Sequence, residues 1–144
     1  STKQSIPGKR YGSGGLKNKI PAEFDTSLFH KRGVLAAARD NNPEKASSGS
    51  HFYIVQGKVH TDSSLNEIEE KRLGGRKLPL HHREVYKQIG GSPHLDQNYT
   101  VFGEVIKGMA VVDTIAQMER DQYDRPKEDV RIIKIRLKKK FLFF

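Results

Sequence analysis

The sequence predicts a mainly β fold with helices. Two stretches carry that expectation, HFYIVQ (51–56) and NYTVFGEVI (98–106), both rich in the aromatic and β-branched residues that suit a pleated strand. Between them, Lys58 to Gly91 turns charged and is punctuated by paired glycines, which reads as a helical insertion between strands. At 144 residues the chain is most simply one domain spanning 1–144, long enough to bury a core, with 58–91 inserted in it.

Each element follows from local pattern. Residues 1–19 mix glycine, proline and basic residues without apolar periodicity and read as an irregular loop. GSGGLKNK within it lacks the G-x-x-x-x-G-K-[ST] spacing of a phosphate cradle. KIPAEFD and SLFHKRG are short mixed segments, and GVLAAA (33–38) has the length of a buried strand. ARDNNPEKASSGS is a turn-rich loop, and its small residues stop at Ser50, where the strand HFYIVQ begins. Alternation puts Phe52 and Ile54 on one face of that strand and His51, Tyr53 and Val55 on the other. One set should face the core and the other a groove.

In the insertion, Ser64 and Glu67 have capping-box spacing, and Leu65, Ile68 and Leu73 fall on one helical face ended by Gly74-Gly75. Leu80 to Ile89 forms a second short helix, with Val85 and Ile89 one turn apart, stopped by Gly90-Gly91. Glu69 and Glu70 read as solubilising carboxylates on the solvent side. Beyond the second long strand, Val111, Val112, Ile115 and Met118 make an amphipathic stripe expected to be core. DQYDRP breaks the chain, and VRIIKIRL (130–137) alternates as a last strand, ahead of three lysines and a terminal FLFF.

Composition excludes several chemistries. There is no cysteine, hence no disulfide or thiolate, and the redox compartment cannot be read. No serine sits in G-x-S-x-G. Of the six histidines, His30, His51, His60, His81, His82 and His94, none shows H-E-x-x-H, and the adjacent pair His81-His82 points to different faces. Neither a metal nor another cofactor is expected. The 26 Lys and Arg against 17 Asp and Glu give +9, but they are spread along the chain, with only 138–140 forming a run. That pattern is a solvated basic surface, and no nucleic-acid partner is expected. No window approaches the run of about 18 apolar residues of a membrane span, and the first twenty residues do not read as a signal peptide. What remains is a small-residue loop, an aromatic strand and a second turn-strand pair, PHLDQNYTVFGEV, the makings of a groove with polar backbone edges and apolar pockets.

At this point GVLAAARDNNPEKASSGSHFYIVQG resembles the central signature of the cyclophilins, a family of peptidyl-prolyl cis-trans isomerases. In that family a G-[IV]-L-x-M-A-N strand leads through a Pro/Asn/Gly loop into G-S-Q-F-F-I. LDQNYTVFGEVIKGMAVVDTIA is similar to the family's second signature, and IPAEF to a subclass's Y-x-I-x-x-E-F. The resemblance runs from about Ile20 to Leu137, and the insertion at 58–91 resembles that of a bacterial branch. It implies a cyclophilin-like β-barrel, a site for proline-containing peptides and unfolded protein segments, and no cofactor. Bacterial envelope and cytoplasm both remain open as locations.

Residue by residue, the resemblance places Ala38 and Arg39 where an Ala-Asn pair hydrogen-bonds the substrate backbone. His51 stands at the glutamine of G-S-Q-F-F and Tyr53 at the phenylalanine walling the proline pocket. Leu95 takes the apolar position of the next turn, and Tyr99 a position that is His or Tyr in different members. His94 stands where several members have a tryptophan associated with cyclosporin, which is implied as a weak ligand. The family's F-H-R and Q-G-G-D segment, which supplies a catalytic arginine, has no counterpart here, since Ser1 aligns just beyond it and LFHKRG matches only superficially. The barrel is therefore expected to be incomplete on its N-terminal side. The favoured expectation is part of a complete isomerase. The alternatives are a catalytically weak or inactive proline-peptide binding, chaperone-like module, or a barrel completed by another chain.

Overall fold

Glycine pairs and apolar alternation divide the described chain into short strands and two helical hairpin arms. The architecture is that of a computed structural model, which describes residues 15–138. These fall into two compact units, 15–116 and 117–138. The first holds, in order, β1 (Lys19–Ile20), β2 (Val34–Ala37), β3 (Ser47–Ser48), β4 (Phe52–Ile54), α1 (Asp62–Lys71), α2 (Leu80–Gln88) and β5 (Val101–Glu104). It closes with α3 (Met109–Gln117), whose last residue falls in the second unit. The fold is mainly β with three helices, in two sheets that do not close into a barrel among the described residues.

β2 is the centre of the larger sheet, ordered β4-β2-β5 and antiparallel throughout. Ala36 lies opposite both Tyr53 and Val101, so these side chains share a face. Val34, Ala36, Val55 and Val101 form the core there, with Tyr53 packed against them. Phe52 and Phe102 stand on the opposite face, largely exposed, in an edge-to-face pair with centroids 6.3 Å apart. The smaller sheet pairs β1 with β3.

A second core joins the two insertion helices to the chain entering β2, through Phe29, Leu65, Leu78 and Tyr86. Its polar seam was not expected. Glu69 is 2% exposed, not on the solvent side, and accepts from the Leu78 N–H (3.1 Å), Lys77 Nζ (2.9 Å) and Arg83 Nη1 (2.7 Å). Burial opposes its charge, but those donors outweigh burial and hold the carboxyl below its ordinary range. The α1 cap also differs from the expected one. Thr61 is the N-cap, and Ser64 at N3 returns the reciprocal bond that the Ser64/Glu67 spacing had suggested elsewhere. In α2 the buried residues are His82 and Tyr86, while Ile89 is exposed.

Two expected apolar elements are only partly covered among the described residues. α3 has no buried residue, and its Val111 is 62% exposed. Met109, Val112 and Ala116 are half-buried, and Asp113 accepts from Arg32 Nη2 at 2.5 Å and from Gln56 Nε2 at 3.3 Å. VRIIKIRL is not a strand within 130–137, and Ile133 and Leu137 are nearly fully exposed. An alternating sequence becomes a strand only where a neighbour takes its backbone hydrogen bonds, and among the described residues this segment joins no ladder. The second unit's described part is built on a turn at Asp121, whose carboxylate accepts from the Tyr123 and Arg125 N–H groups. The FLFF tail and residues 1–14 of the expected N-terminal loop lie outside the described residues.

The end of the helical segment 58–91 meets the chain entering β2 at Gly90, whose carbonyl accepts from Arg32 N–H, and at Gly91. Gly91 exchanges backbone bonds with Lys58 (3.0 and 3.3 Å) at φ +154°, and Ser92 N–H donates to the His30 carbonyl. A Cβ on Gly91 would lie 2.3 Å from the His30 carbonyl oxygen and 2.5 Å from the Tyr86 ring. Gly91→Ala is therefore expected to lower stability by at least about 2 kcal/mol, because backbone and a buried ring cannot yield cheaply. Gly74→Ala, at φ +62° with nothing within 4 Å, is expected to cost about 1 kcal/mol. Urea unfolding of both variants checks this, and equal losses would contradict it.

Candidate functional site

The candidate site is built from a strand, a turn and a buried carboxylate. β4 is an edge strand among the described residues, and it presents Tyr53 half-buried at its middle. The turn 93–95 delivers Asp96 into the interior, 2% exposed, and the chain then runs through Tyr99 into β5. His30, 1% exposed, lies between them. Asp96 Oδ1 accepts from the His30 backbone N–H (2.8 Å) and faces His30 Nδ1 at 3.0 Å, while His30 Nε2 lies 3.1 Å from the Tyr53 hydroxyl. From the other side, the Tyr86 hydroxyl donates to Asp96, at 2.9 and 2.8 Å from its two oxygens. Arg76 Nη2 donates to the Asp96 carbonyl at 2.7 Å.

Aromatic rings continue this line outward. Tyr99 meets Tyr53 edge-on at 6.0 Å and His30 at 6.5 Å, and the Arg39 guanidinium lies 4.9 Å over the Tyr99 ring. Arg39 is fixed by donating from Nε to the Asn98 carbonyl and from Nη1 to the Asp40 carbonyl, both at 2.9 Å. Tyr53 and Tyr86 are both held well above the ordinary tyrosine range. Burial is the main cause in each, with the Asp96 charge adding to it, and both stay neutral hydrogen-bonding groups.

The seven residues singled out from the sequence are placed as follows. Arg39, Tyr53 and Tyr99 come together through ring and cation contacts. Ala38 and His51 are joined by backbone: Ala38 N–H donates to the His51 carbonyl (2.9 Å), and the Ala38 carbonyl accepts from Ser48 N–H (2.8 Å). The His51 side chain is exposed. His94 and Leu95 occupy the turn before Asp96, both half-buried. Burial lowers the His94 imidazole below its ordinary range, and Arg72 pushes the same way while Asp96 opposes. None of the seven lines the roughly 350 Å³ cleft between the chain before β2 and β5, whose walls include Leu28, Phe29, Val34, Val101, Phe102 and Glu104.

Sequence reasoning passed over His30, Asp96 and Tyr86. His30 and Asp96 are 66 residues apart, and no local pattern announces their pairing. Among the described residues no group of three His, Cys, Asp or Glu side chains is placed to hold a metal ion. No described helix is long and apolar enough to cross a membrane.

Rings, a guanidinium and backbone groups thus gather beside β4. Comparison with known proteins gives the chain a family. The model of the "Cyclophilin type peptidyl-prolyl cis-trans isomerase/CLD" family matches residues 1–137. A "Putative peptidyl-prolyl cis-trans isomerase" of Staphylococcus haemolyticus is 36% identical over 110 residues, covering 76% of this chain and 52% of that protein. Its counterpart in Staphylococcus saprophyticus is 33% identical over 115 residues, covering 80% and 54%. A "Putative bifunctional phosphatase/peptidyl-prolyl cis-trans isomerase" of Streptococcus pyogenes serotype M6 is 38% identical over 112 residues, 76% of this chain and 22% of that one. This chain belongs to the cyclophilin-type peptidyl-prolyl cis-trans isomerase family. It spans about half the length of the staphylococcal relatives it matches.

The histidines carry a pH dependence. His82 is buried, stacked on Phe29 with ring centroids 3.7 Å apart, and its Nε2 has no hydrogen-bond partner among the described residues. Burial lowers its affinity for a proton, as do His81 and Arg76, while Asp96 opposes them. The unfolded chain takes up that proton near pH 6.5, about the free imidazole value, and the folded chain does so only at lower pH. Stability is thus full above about pH 6.5 and falls as pH drops towards the folded value, with His94 adding to the same slope. Urea unfolding between about pH 7.5 and pH 5.5 should show this loss, and His82→Phe should flatten it; an unchanged slope in the variant would contradict the assignment.

Proposed function

We propose that this chain carries the peptide-binding wall of a peptidyl-prolyl cis-trans isomerase that accelerates folding by isomerising Xaa-Pro bonds. The observation that supports this most is the Arg39–Tyr99–Tyr53 cluster, seated on the buried His30–Asp96 pair, in a chain that the family model matches over 1–137. We read the chain as one cyclophilin-like domain with 58–91 as its helical insertion.

The reaction makes modest demands. Rotation about the Xaa-Pro bond faces a barrier of about 18–20 kcal/mol, since conjugation is lost at the twisted amide. Uncatalysed exchange takes tens to hundreds of seconds, about the time of the slowest folding phases. No covalent intermediate is needed, only a surface that binds the twisted form better than either planar one. In this reading Tyr53 walls the proline ring, with Tyr99 and Leu95 as its apolar neighbours. Arg39 and His51 supply polar contacts to the flanking backbone. Ala38 adds little through its own backbone, since its N–H and carbonyl already bond to His51 and Ser48. His94, standing at the position associated with cyclosporin in the family, makes that ligand a weak one here.

The full-length protein is expected to accelerate the proline-limited phase of a refolding substrate. Tyr53→Ala should weaken binding of a short Ala-Pro peptide by about 10-fold or more while the chain stays folded. Peptide binding without acceleration would reduce the protein to a binding module. Unchanged affinity in folded Tyr53→Ala would remove the pocket assignment.

A further inference from the structure

We propose that His30, oriented by Asp96, is a positioning residue for the aromatic wall: its Nε2 tethers the Tyr53 hydroxyl and fixes the angle at which the Tyr53 ring meets a bound peptide. The functional half of this proposal rests on the prolyl-peptide reading above, and the tether itself does not.

Four polar side chains form one line from the insertion to the wall, in the order Tyr86, Asp96, His30 and Tyr53. Asp96 is an acceptor, so the His30 Nδ1 that faces it at 3.0 Å is the nitrogen carrying the proton. The neutral imidazole then offers only a lone pair at Nε2, and Tyr53 O–H, 3.1 Å away, donates to it. Asp96 thereby selects the tautomer, as a second carboxylate does for many histidines that must present one fixed nitrogen. His30 is 1% exposed, so water is not at hand to replace Tyr53 as the Nε2 partner.

Tyr53 has reason to need a tether. Among the described residues its strand is paired on one side only, with Tyr53 opposite Ala36. Its ring packs on the Val34, Ala36, Val55 and Val101 cluster on one side and meets the Tyr99 ring edge-on, 6.0 Å away. An aromatic pair of this kind tolerates a range of tilts. The hydroxyl bond fixes the far end of the ring. Because that bond lies on the ring's own flip axis, it resists rotation about χ1 and leaves ring flips free. A phenylalanine at this position would pack the same body and lose the tether, with a buried imidazole nitrogen left unpaired.

The test compares native full-length protein, Tyr53→Phe, His30→Asn and the double variant. Asn at position 30 retains a donor towards Asp96 and gives up the reach to Tyr53. Three-bond couplings to the aromatic Cγ at position 53 report the χ1 populations in all four proteins, and NMR titration with an Ala-Pro peptide gives Kd for the folded molecules. The expected result is one χ1 rotamer in the native protein, averaged couplings in every variant, and a Kd about 3- to 10-fold weaker in each single variant. The double variant should be no weaker than the worse single, since both remove the same bond. A merely structural role would reduce the folded fraction and leave Kd of the folded molecules unchanged, which would overturn the proposal. A single χ1 rotamer in folded His30→Asn, or losses that multiply in the double variant, would overturn it too. If His30→Asn fails to fold, Tyr53→Phe decides alone, by averaging or retaining its rotamer. If the native protein binds no prolyl peptide, the functional reading falls, and the couplings still settle whether His30 holds Tyr53.

Discussion

One buried carboxylate organises the described structure. Asp96 accepts from the His30 backbone N–H, the His30 imidazole and the Tyr86 hydroxyl, and these donors come from two separate parts of the chain. His30 stands at the entrance to β2, the centre of the sheet, and Tyr86 lies in α2 of the insertion. A carboxylate this deep costs several kcal/mol unless its lone pairs are met, so its placement is possible only with all of these segments in position. The Arg76 bond to the Asp96 carbonyl fixes the same residue from the loop between the insertion helices.

Other features follow from that constraint. For Tyr86 to reach Asp96, the insertion must lie against the chain entering β2, and Gly91 permits that approach because it has no Cβ to meet the His30 carbonyl. Glu69 does for the insertion what Asp96 does for the junction, gathering Lys77, Leu78 and Arg83 around one carboxylate. Both sites place a hydrogen-bonded carboxylate in the interior beside apolar contacts. The apolar cores are small, one under the sheet and one between the insertion and Phe29.

The sequence was informative where a residue's environment is set by near neighbours. β4 and β5 follow from β-branched and aromatic runs, β2 from a short apolar run, and α1 and α2 from apolar spacing and glycine pairs, while the α1 cap lies at Thr61 rather than where the Ser64/Glu67 spacing put it. Two signatures were enough to anticipate the family that the comparison then showed. Sequence reading failed where the environment is made by distant residues. Glu69 looks like any surface glutamate, and Arg83, fourteen positions on, is what allows its burial. The His30–Asp96 bond spans 66 positions. VRIIKIRL shows the reverse error, since alternation states which face a strand would bury and cannot supply the neighbour that makes it a strand. For the site, the signatures nominate the residues proposed, whereas the Tyr53–His30 contact and the backbone bonds of Ala38 are visible only in the structure.

The central claim is that Asp96 joins the insertion to the wall of the site. Asp96→Asn tests it most directly, because the amide keeps the shape while turning an acceptor into a donor opposite donors. Urea unfolding of this variant, run beside a titration with an Ala-Pro peptide, should show stability lower by at least about 2 kcal/mol together with a weakened Kd. Native stability and native peptide affinity in Asp96→Asn would contradict the account.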